Sequence, residues 1–157
     1  MSQNSLLAKN KKAYFDYEVI EKYETGIVLT GSEVKSIKEG RVQLKGSFAT
    51  ISRDAKGRPH LLTENLHVSQ YKHSTDPHFD PLRRRELLLK KKELDNLAGL
   101  SLQKGFTLIP LEIYLLRHHI KVLLGVCRGK KLHDKRLVLK KRAVTKEIDQ
   151  GLKKFSR

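Results

Sequence analysis

Cysteine, tryptophan and proline are scarce in this 157-residue sequence, and basic residues outnumber acidic ones. The single cysteine, Cys127, excludes an intrachain disulfide framework and a cysteine-rich zinc site. No apolar run approaches the roughly 20 residues that a membrane-spanning helix needs. The first residues lack the charged head and apolar stretch of a secretory signal peptide. We therefore expect a reduced, soluble protein of the cytoplasm with no membrane partner.

The excess of positive charge indicates a polyanionic partner. The chain has 33 Lys and Arg residues against 17 Asp and Glu, a net charge of +16, and a surplus of this size favours nucleic acid. Residues 1–127 carry 21 basic and 14 acidic side chains, whereas residues 128–157 carry 12 and 3. We therefore predict an RNA-binding body over 1–127 and a basic C-terminal tail over 128–157.

The body is predicted to consist mainly of strands. Thr25-Gly26 predicts a turn, and Thr30 with Glu33 has the spacing of a capping box, so a helix begins there and Gly40 ends it. A second helix follows from the apolar spacing between Leu94 and Leu102, with Gly105 as its cap. A polar loop is predicted over 71–81. Alternating apolar residues predict six strands, over 15–23, 27–29, 44–52, 60–68, 109–115 and 120–126.

This pattern favours a mainly β protein, a small OB-like closed barrel with added α-helices, because closure removes exposed strand edges. A split α+β sheet is the alternative. The tail has a stripe of apolar residues at helical spacing, but such a helix is marginal alone in water. We expect the tail to be disordered when free and helical when bound to a polyanion. The stripe consists of Val144, Ile148, Leu152 and Phe155.

The sequence contains no recognisable catalytic pattern. The histidines lack a His-Glu-x-x-His frame, and the adjacent His118 and His119 would point apart, which makes them poor joint ligands of a metal. There is no Gly-rich phosphate loop and no Gly-x-Ser-x-Gly elbow. Asp76 and Asp80 each precede a proline, so turn initiation explains them better than cation binding. We therefore predict no enzyme activity, no metal site and no cofactor.

Three segments concentrate groups that could bind phosphate. The predicted helix start over 33–38 offers N–H groups and a positive dipole end to an anion, although a plain amphipathic connector capped by Glu33 is an equal alternative. Residues 83–92 place six cations around three leucines, and a solvated face is the alternative there. Residues 128–136 form the third segment, at the start of the tail.

Several of these motifs, in this order and spacing, resemble those of the SmpB family, the SsrA-binding proteins that partner tmRNA in bacterial ribosome rescue. The resemblance covers most of the chain and reaches into the tail. The matching segments are Asn10-Lys11-Lys12-Ala13, Gly26-Ile27-Val28-Leu29-Thr30-Gly31-Ser32-Glu33-Val34-Lys35-Ser36, Asp80-Pro81-Leu82-Arg83, Leu87-Leu88-Leu89 and Gly129-Lys130-Lys131-Leu132-His133-Asp134-Lys135-Arg136.

The resemblance implies a protein that is monomeric when free and binds the tRNA-like end of tmRNA. Such a protein promotes the use of tmRNA by alanyl-tRNA synthetase and elongation factor Tu, and it delivers tmRNA to stalled ribosomes. The resemblance also implies that the tail senses the empty mRNA channel and the decoding centre, beside the small-subunit RNA, and folds there as a helix.

We predict the site residues from their charge and chemistry and from the positions at which this sequence matches the motifs of the family. The RNA-binding set is Glu33, Val34, Lys35, Ser36, Lys38, Arg83, Arg85, Leu89, Lys91, Gly129, Lys130 and Lys131. The tail set for the ribosome and decoding centre is His133, Asp134, Lys135, Arg136 and Ile148.

Two alternatives to a role in trans-translation remain open at this point. A ribosomal or ribosome-assembly protein that binds ribosomal RNA permanently would have a similar charge. A nuclease or RNA-modifying enzyme is a third class, but the chain lacks the carboxylate or cysteine constellation that it would need.

Overall fold

The computed structural model describes residues 4–155, with Phe155 described by its backbone alone. Over this range the protein is mainly β, with four helices. In chain order the elements are β1 (Asn4–Lys9), α1 (Lys11–Asp16), β2 (Tyr17–Ile27), α2 (Gly31–Lys38), β3 (Val42–Gln43), β4 (Phe48–Arg53), β5 (Pro59–Glu64), β6 (His67–Val68), β7 (Glu86–Leu88), α3 (Lys91–Ser101), β8 (Phe106–Leu116), β9 (His119–Gly129) and α4 (Leu132–Phe155).

The main sheet closes into a ring of six antiparallel strands. The hydrogen-bonded order runs β8–β4–β5–β7–β2–β9, and β9 pairs again with β8. One residue pair, Ala49 with Leu108, joins β4 to β8, whereas β2 and β9 pair along nearly their whole length. β1 adds to the free part of β8, and β3 and β6 form a separate two-stranded sheet.

The core lies inside this ring. Along β9, residues at period two are buried, so one face of the strand points inward, as the alternation in the sequence predicts. Ile37 of α2 and Leu97 of α3 add fully buried side chains to the same cluster. The core therefore holds the two helices against the ring and fixes where the first turn of α2 lies. The buried residues of β9 include Ile120, Val122, Leu124 and Val126.

Several local predictions are confirmed. Thr30 and Glu33 form both hydrogen bonds of the capping box, and Gly40 follows α2 with a φ of 75°. The side chains of Asp76 and Asp80 accept hydrogen bonds from the N–H groups two residues later, which makes both of them turn residues. The predicted closing hairpin exists as β8 and β9.

Two predictions for the segment that follows Asn10 are wrong. Phe15 lies in α1 rather than in a strand, because the buried side chain of Asn10 caps a helix by accepting the N–H of Ala13 at 3.0 Å. Gly26 makes no turn but continues β2, where it pairs with Leu88. A Cβ on Gly26 would lie 3.3 Å from the Cβ of Leu88, so glycine allows the close approach of β7.

Two predicted strands are shorter in the structure. The third begins only at Phe48, because Ser47 turns the chain by donating its N–H and its hydroxyl to the carbonyl oxygen of Leu44, at 3.0 and 2.6 Å. The fourth is interrupted at Asn65, whose φ of 54° is left-handed and incompatible with a strand. A continuous pattern of apolar residues does not reveal either turn.

The ends of two other elements also differ from the prediction. β1 is not predicted at all, since its short apolar run shows no clear alternation, and it forms by pairing with β8. The cap of α3 is Leu102, not Gly105. Gly105, with a φ of 90°, lies in the turn before β8 instead.

Candidate RNA-binding surface

Glu33 lies at the centre of a buried ionic cluster that joins α2 to the segment before β7. Its carboxylate accepts hydrogen bonds from Arg83 Nη2 at 2.7 Å and from Arg85 Nε at 2.9 Å, while Oε2 also accepts the N–H of Thr30 at 2.9 Å. Glu33 is 1% exposed and Arg85 is 0% exposed. The cluster therefore fixes the first turn of α2 against the arginine run.

Hydrogen bonding compensates the charges in this cluster. Burial alone would raise the pKa of Glu33, but the hydrogen bonds from Arg83, from the Thr30 N–H and from Arg85 outweigh it and hold the pKa below its usual value. Arg85 also donates to the carbonyl oxygens of Leu66 and Arg83, at 2.8 and 2.9 Å. A buried guanidinium with this many acceptors is a structural group rather than a free cation.

This burial corrects one expectation for the arginine run. The sequence suggests that its cations face phosphate, yet the Arg85 side chain points into the protein and has no exposed surface. The Arg83 side chain is 40% exposed and can reach a ligand while it holds Glu33. Arg84 is exposed and pairs with Glu64 at 3.0 Å. Glu33, which was also predicted at the RNA surface, is likewise buried.

The exposed face of α2 carries two lysines. Lys35 and Lys38 are exposed, and the Lys35 ammonium lies 5.3 Å from the centre of the Tyr71 ring. Val34 is half-buried, and the buried hydroxyl of Ser36 donates to the carbonyl oxygen of Ser69. Of the predicted α2 residues, the two lysines therefore present charge to a ligand.

A groove links α2 to the leucine segment. It has a volume of about 330 Å³, and its walls include Val34, Leu88, His118 of the hairpin turn and His119, the first residue of β9. Leu88 is 51% exposed, and Leu89 is half-buried beside it. Leu88, His118 and His119 were not predicted as surface residues of this region. For the two histidines, their position at a hairpin turn is the signal that indicates exposure.

Exposed lysines surround the leucine segment. Lys90, Lys91 and Lys92 are exposed at the start of α3, and Lys121 lines both the groove and the neighbouring depression beside Leu89. The depression also contains Glu24 and Glu93, so the surface here is mixed rather than uniformly positive. The structure thus brings the first two predicted segments, 33–38 and 83–92, to one face of the molecule.

The third predicted patch lies elsewhere. Gly129 pairs with Tyr17 at one end of the β2–β9 ladder, whereas Lys121, which lines the groove, pairs with Gly26 at the other end. Eight residues of strand at about 3.3 Å each separate them by about 26 Å. An RNA that touches both regions must therefore span about 26 Å.

Lys130, the first residue after β9, donates hydrogen bonds to the C-terminal end of α1. The backbone N–H of Lys130 donates to the carbonyl oxygen of Asp16 at 2.9 Å, and its ammonium donates to the carbonyl oxygen of Tyr14 at 3.0 Å. Gly129 and Lys131 are exposed. β9 thus reaches Gly129, two residues past the predicted boundary at 127, and Lys130-Lys131 connects it to α4.

α4 is one helix of 24 residues whose apolar stripe faces outward. Val144, Ile148 and Leu152 are 55%, 57% and 64% exposed, and the side chain of Phe155, the last member of the predicted stripe, lies outside the described residues. Three of the predicted tail residues are exposed on the first turns of this helix: His133, Asp134 and Arg136.

Among residues 4–155, no group of three or more His, Cys, Asp or Glu side chains could hold a metal ion. No helix in that range is long and apolar enough to cross a membrane.

Known proteins are similar to this chain over most of its length. A family model described as SmpB protein matches residues 7–154. The SsrA-binding protein of Borreliella afzelii (strain PKo) is 46% identical over 153 residues, 98% of this chain and 99% of that protein. The SsrA-binding protein of Bacillus subtilis (strain 168) is 47% identical over 148 residues, 94% of this chain and 92% of that protein.

A solved structure is also similar to this chain. It is described as "tmRNA-SmpB: a journey to the center of the bacterial ribosome", and its matching chain is 48% identical, with a TM-score of 0.63. The match covers 80% of this chain and 85% of that chain.

Proposed function

Because the chain belongs to the SmpB family of SsrA-binding proteins, we propose that it binds tmRNA and acts in trans-translation on stalled ribosomes. The observation that carries this proposal is the identity of 45–47% with SsrA-binding proteins along almost their full length. The net charge of +16 fits an RNA ligand. Such a role places the protein in the cytoplasm, where ribosomes translate.

The body is proposed to bind the tRNA-like end of tmRNA through the face that α2 shares with the leucine segment. Lys35, Lys38 and Arg83 contact phosphate there, and Lys91 and Leu89 extend the contact along the start of α3. Glu33 and Arg85 act from inside by holding α2 in place. The ring of strands would then serve as an OB-like barrel that carries this face.

A second part of the proposal concerns residues at the other end of the β2–β9 ladder. Gly129, Lys130 and Lys131 complete the RNA contact, about 26 Å from the groove. The tail then enters the empty mRNA channel, where His133 stacks on a base of the small-subunit RNA. Three charged residues, Asp134, Lys135 and Arg136, begin the entry of the helix, and Ile148 meets the channel wall with the rest of the stripe.

The proposal includes indirect partners and a folding step. The tmRNA held by the protein is used by alanyl-tRNA synthetase and elongation factor Tu before it reaches the ribosome. In the free protein the tail over 128–157 is largely uncoiled, because its twelve cations repel one another and the stripe covers no core. Ribosomal RNA phosphates neutralise these cations and stabilise the helix.

The test is the affinity of the protein for a transcript of the tRNA-like domain of tmRNA, measured at several salt concentrations. Lys35→Ala should lower the slope of log affinity against log salt by about one, because one phosphate contact is lost. Lys56→Ala, in the exposed turn between β4 and β5, is the matched control and should leave the slope unchanged.

Competing transcripts separate the proposal from its alternative. The wild-type protein should prefer the tmRNA domain to a fragment of small-subunit ribosomal RNA of equal length. Equal or stronger binding to the ribosomal fragment would favour a ribosomal or ribosome-assembly protein. A Lys35→Ala slope equal to that of the wild type would place this lysine away from the RNA.

A further inference from the structure

A pair of aromatic rings lies beside the lysines of α2. The Tyr71 and His73 rings, both in the loop between β6 and β7, meet edge to face, with centroids 5.3 Å apart and planes inclined by 66°. The Lys35 ammonium lies 5.3 Å from the centre of the Tyr71 ring. We propose that Tyr71 and His73 form a stacking ledge for an unpaired nucleotide of the bound RNA, an inference that rests on the proposed function and extends its RNA surface.

Hydrogen bonds fix both ends of this loop on the body. The Ser36 hydroxyl of α2 donates to the carbonyl oxygen of Ser69 at 2.5 Å, and the Ser69 N–H donates to the carbonyl oxygen of Arg41 at 3.0 Å. Where the loop returns, the carbonyl oxygen of Pro81 accepts the N–H of Val68 at 3.0 Å. The loop therefore leaves and rejoins the body at fixed points, the first of them on α2.

Hydrogen bonds within the loop hold the segment that carries the rings. The Ser74 N–H donates to the carbonyl oxygen of Tyr71 at 2.9 Å, which closes a turn around His73. The Gln70 side chain donates to the carbonyl oxygen of Asp76 at 2.8 Å, across the same turn. Because these bonds order the loop before RNA arrives, binding there costs little conformational entropy.

The ring pair leaves aromatic surface available to a base. In an edge-to-face pair, each ring keeps at least one face that the other ring does not cover. His73 is exposed, whereas Tyr71 is half-buried and so anchors the pair. Unpaired RNA bases are commonly recognised by stacking on aromatic side chains, histidine among them. The exposed imidazole is therefore the ring on which we expect the base to stack.

The charges near the ledge favour a nucleotide. Lys35 contacts the Tyr71 ring, and Lys72 separates the two rings in sequence; both lysines are exposed. The two acids of the loop, Asp76 and Asp80, each accept a backbone N–H of their own turn. A base on the ledge thus has cations nearby for the phosphates on either side of it.

The ledge is continuous with the groove through α2. Val34 lines the groove, and Lys35, the next residue of the helix, contacts Tyr71 of the ledge. A strand of RNA that crosses α2 can therefore contact both. The groove offers mainly aliphatic walls, whereas the ledge adds the aromatic surface on which bases stack.

The first test measures the affinity of full-length variants for a transcript of the tRNA-like domain of tmRNA at several salt concentrations. His73→Ala should weaken binding about fivefold or more, because one stacked base is lost. The slope of log affinity against log salt should stay that of the wild type, since stacking releases no counterions. His73→Phe keeps a ring and should bind within about twofold of the wild type. His78→Ala, at an exposed histidine of the same loop, is the matched control and should bind as the wild type does.

A tryptophan at the same position reports the contact directly. The chain contains no tryptophan, so His73→Trp and its control His78→Trp each have a single one. RNA binding should quench most of the fluorescence of His73→Trp and little of that of His78→Trp, because only the first indole stacks on a base. Circular dichroism confirms that each variant is folded.

The outcomes separate the ledge from the proposed function. His73→Ala with wild-type affinity would overturn the ledge, and so would equal quenching at positions 73 and 78. A His73→Phe variant as weak as His73→Ala would overturn the stacking role. A wild-type protein that does not bind the tRNA-like domain would instead overturn the proposed function, while quenching of His73→Trp by a single-stranded oligouridylate would still decide whether the ledge binds a nucleotide.

Discussion

At the scale of single residues, Glu33 belongs to the predicted RNA surface but is buried in the structure. Its carboxylate is buried and bonded to Arg83, Arg85 and the Thr30 N–H, so it determines where the exposed lysines of α2 lie. Removal of one partner from such a buried cluster leaves the opposite charge without compensation.

We expect Glu33→Gln to lower the free energy of unfolding by about 3–5 kcal/mol at pH 7. The pKa of Glu33 is below its usual value in the folded protein, so its stabilisation is present above the unfolded pKa near 4.5 and is lost as pH falls through the folded pKa. The difference between wild type and variant should therefore shrink below about pH 4. Urea unfolding between pH 3 and 7 measures it.

Glu39→Gln is the control for this change, since Glu39 is an exposed acid at the end of the same helix. The control should alter stability by less than about 0.5 kcal/mol. A Glu33→Gln variant as stable as the control would mean that the buried arginines do not depend on this carboxylate.

At the scale of elements, the two faces of α4 have different surroundings. Lys135 and Arg142 on one face contact α1, and Val144 and Ile148 on the other face are exposed. We therefore expect a change late in the helix to affect the proposed ribosome step and to leave the body unchanged.

Ile148→Pro tests this separation. Proline in a helix interior costs about 3 kcal/mol, so the last turns of α4 should unfold. We expect tmRNA affinity within twofold of the wild type and strongly reduced tagging of stalled peptides. Ile148→Ala keeps the helix while it shortens the stripe, and it should retain more tagging than the proline variant. Full tagging by Ile148→Pro would show that helicity late in the tail is dispensable.

At the scale of the whole molecule, charge is distributed unevenly along the chain. The ring of strands carries the groove and the lysines of α2 and α3, all before residue 128, whereas more than a third of the cations lie in residues 128–157. The body should therefore bind RNA by itself, and the tail should matter on the ribosome.

Truncation after Lys131 tests this division. The shortened protein should keep tmRNA affinity within a few fold, because Lys35, Lys38 and Lys91 remain, and it should lose tagging of stalled peptides completely. Electrophoretic mobility shift and a reconstituted tagging reaction measure the two properties. If the truncated protein fails to bind tmRNA while its β-sheet circular dichroism is intact, the RNA site must include the tail.

The sequence by itself determined the features that depend on neighbouring residues: the capping box at Thr30, the turns at Asp76 and Asp80, the β8–β9 hairpin, the family and the separate basic segment. The family follows from the resemblance of the sequence motifs, and each of the other features arises from local hydrogen bonding, strand alternation or composition, which a linear pattern contains. The positions of the lysines in α2 and around α3 as candidate RNA contacts followed from the same local information.

Only the tertiary structure decided which charges are free. Arg83 and Arg85 stand two residues apart in one basic run, yet Arg83 is partly exposed and Arg85 is buried against Glu33, 52 residues away in sequence. The Gly26 pairing with Leu88, the 26 Å between the groove and Gly129, and the contact of Asp16 with Lys135 likewise depend on segments far apart in the chain. Burial and long-range pairing are properties of the packed chain, so the local pattern of residues could not supply them.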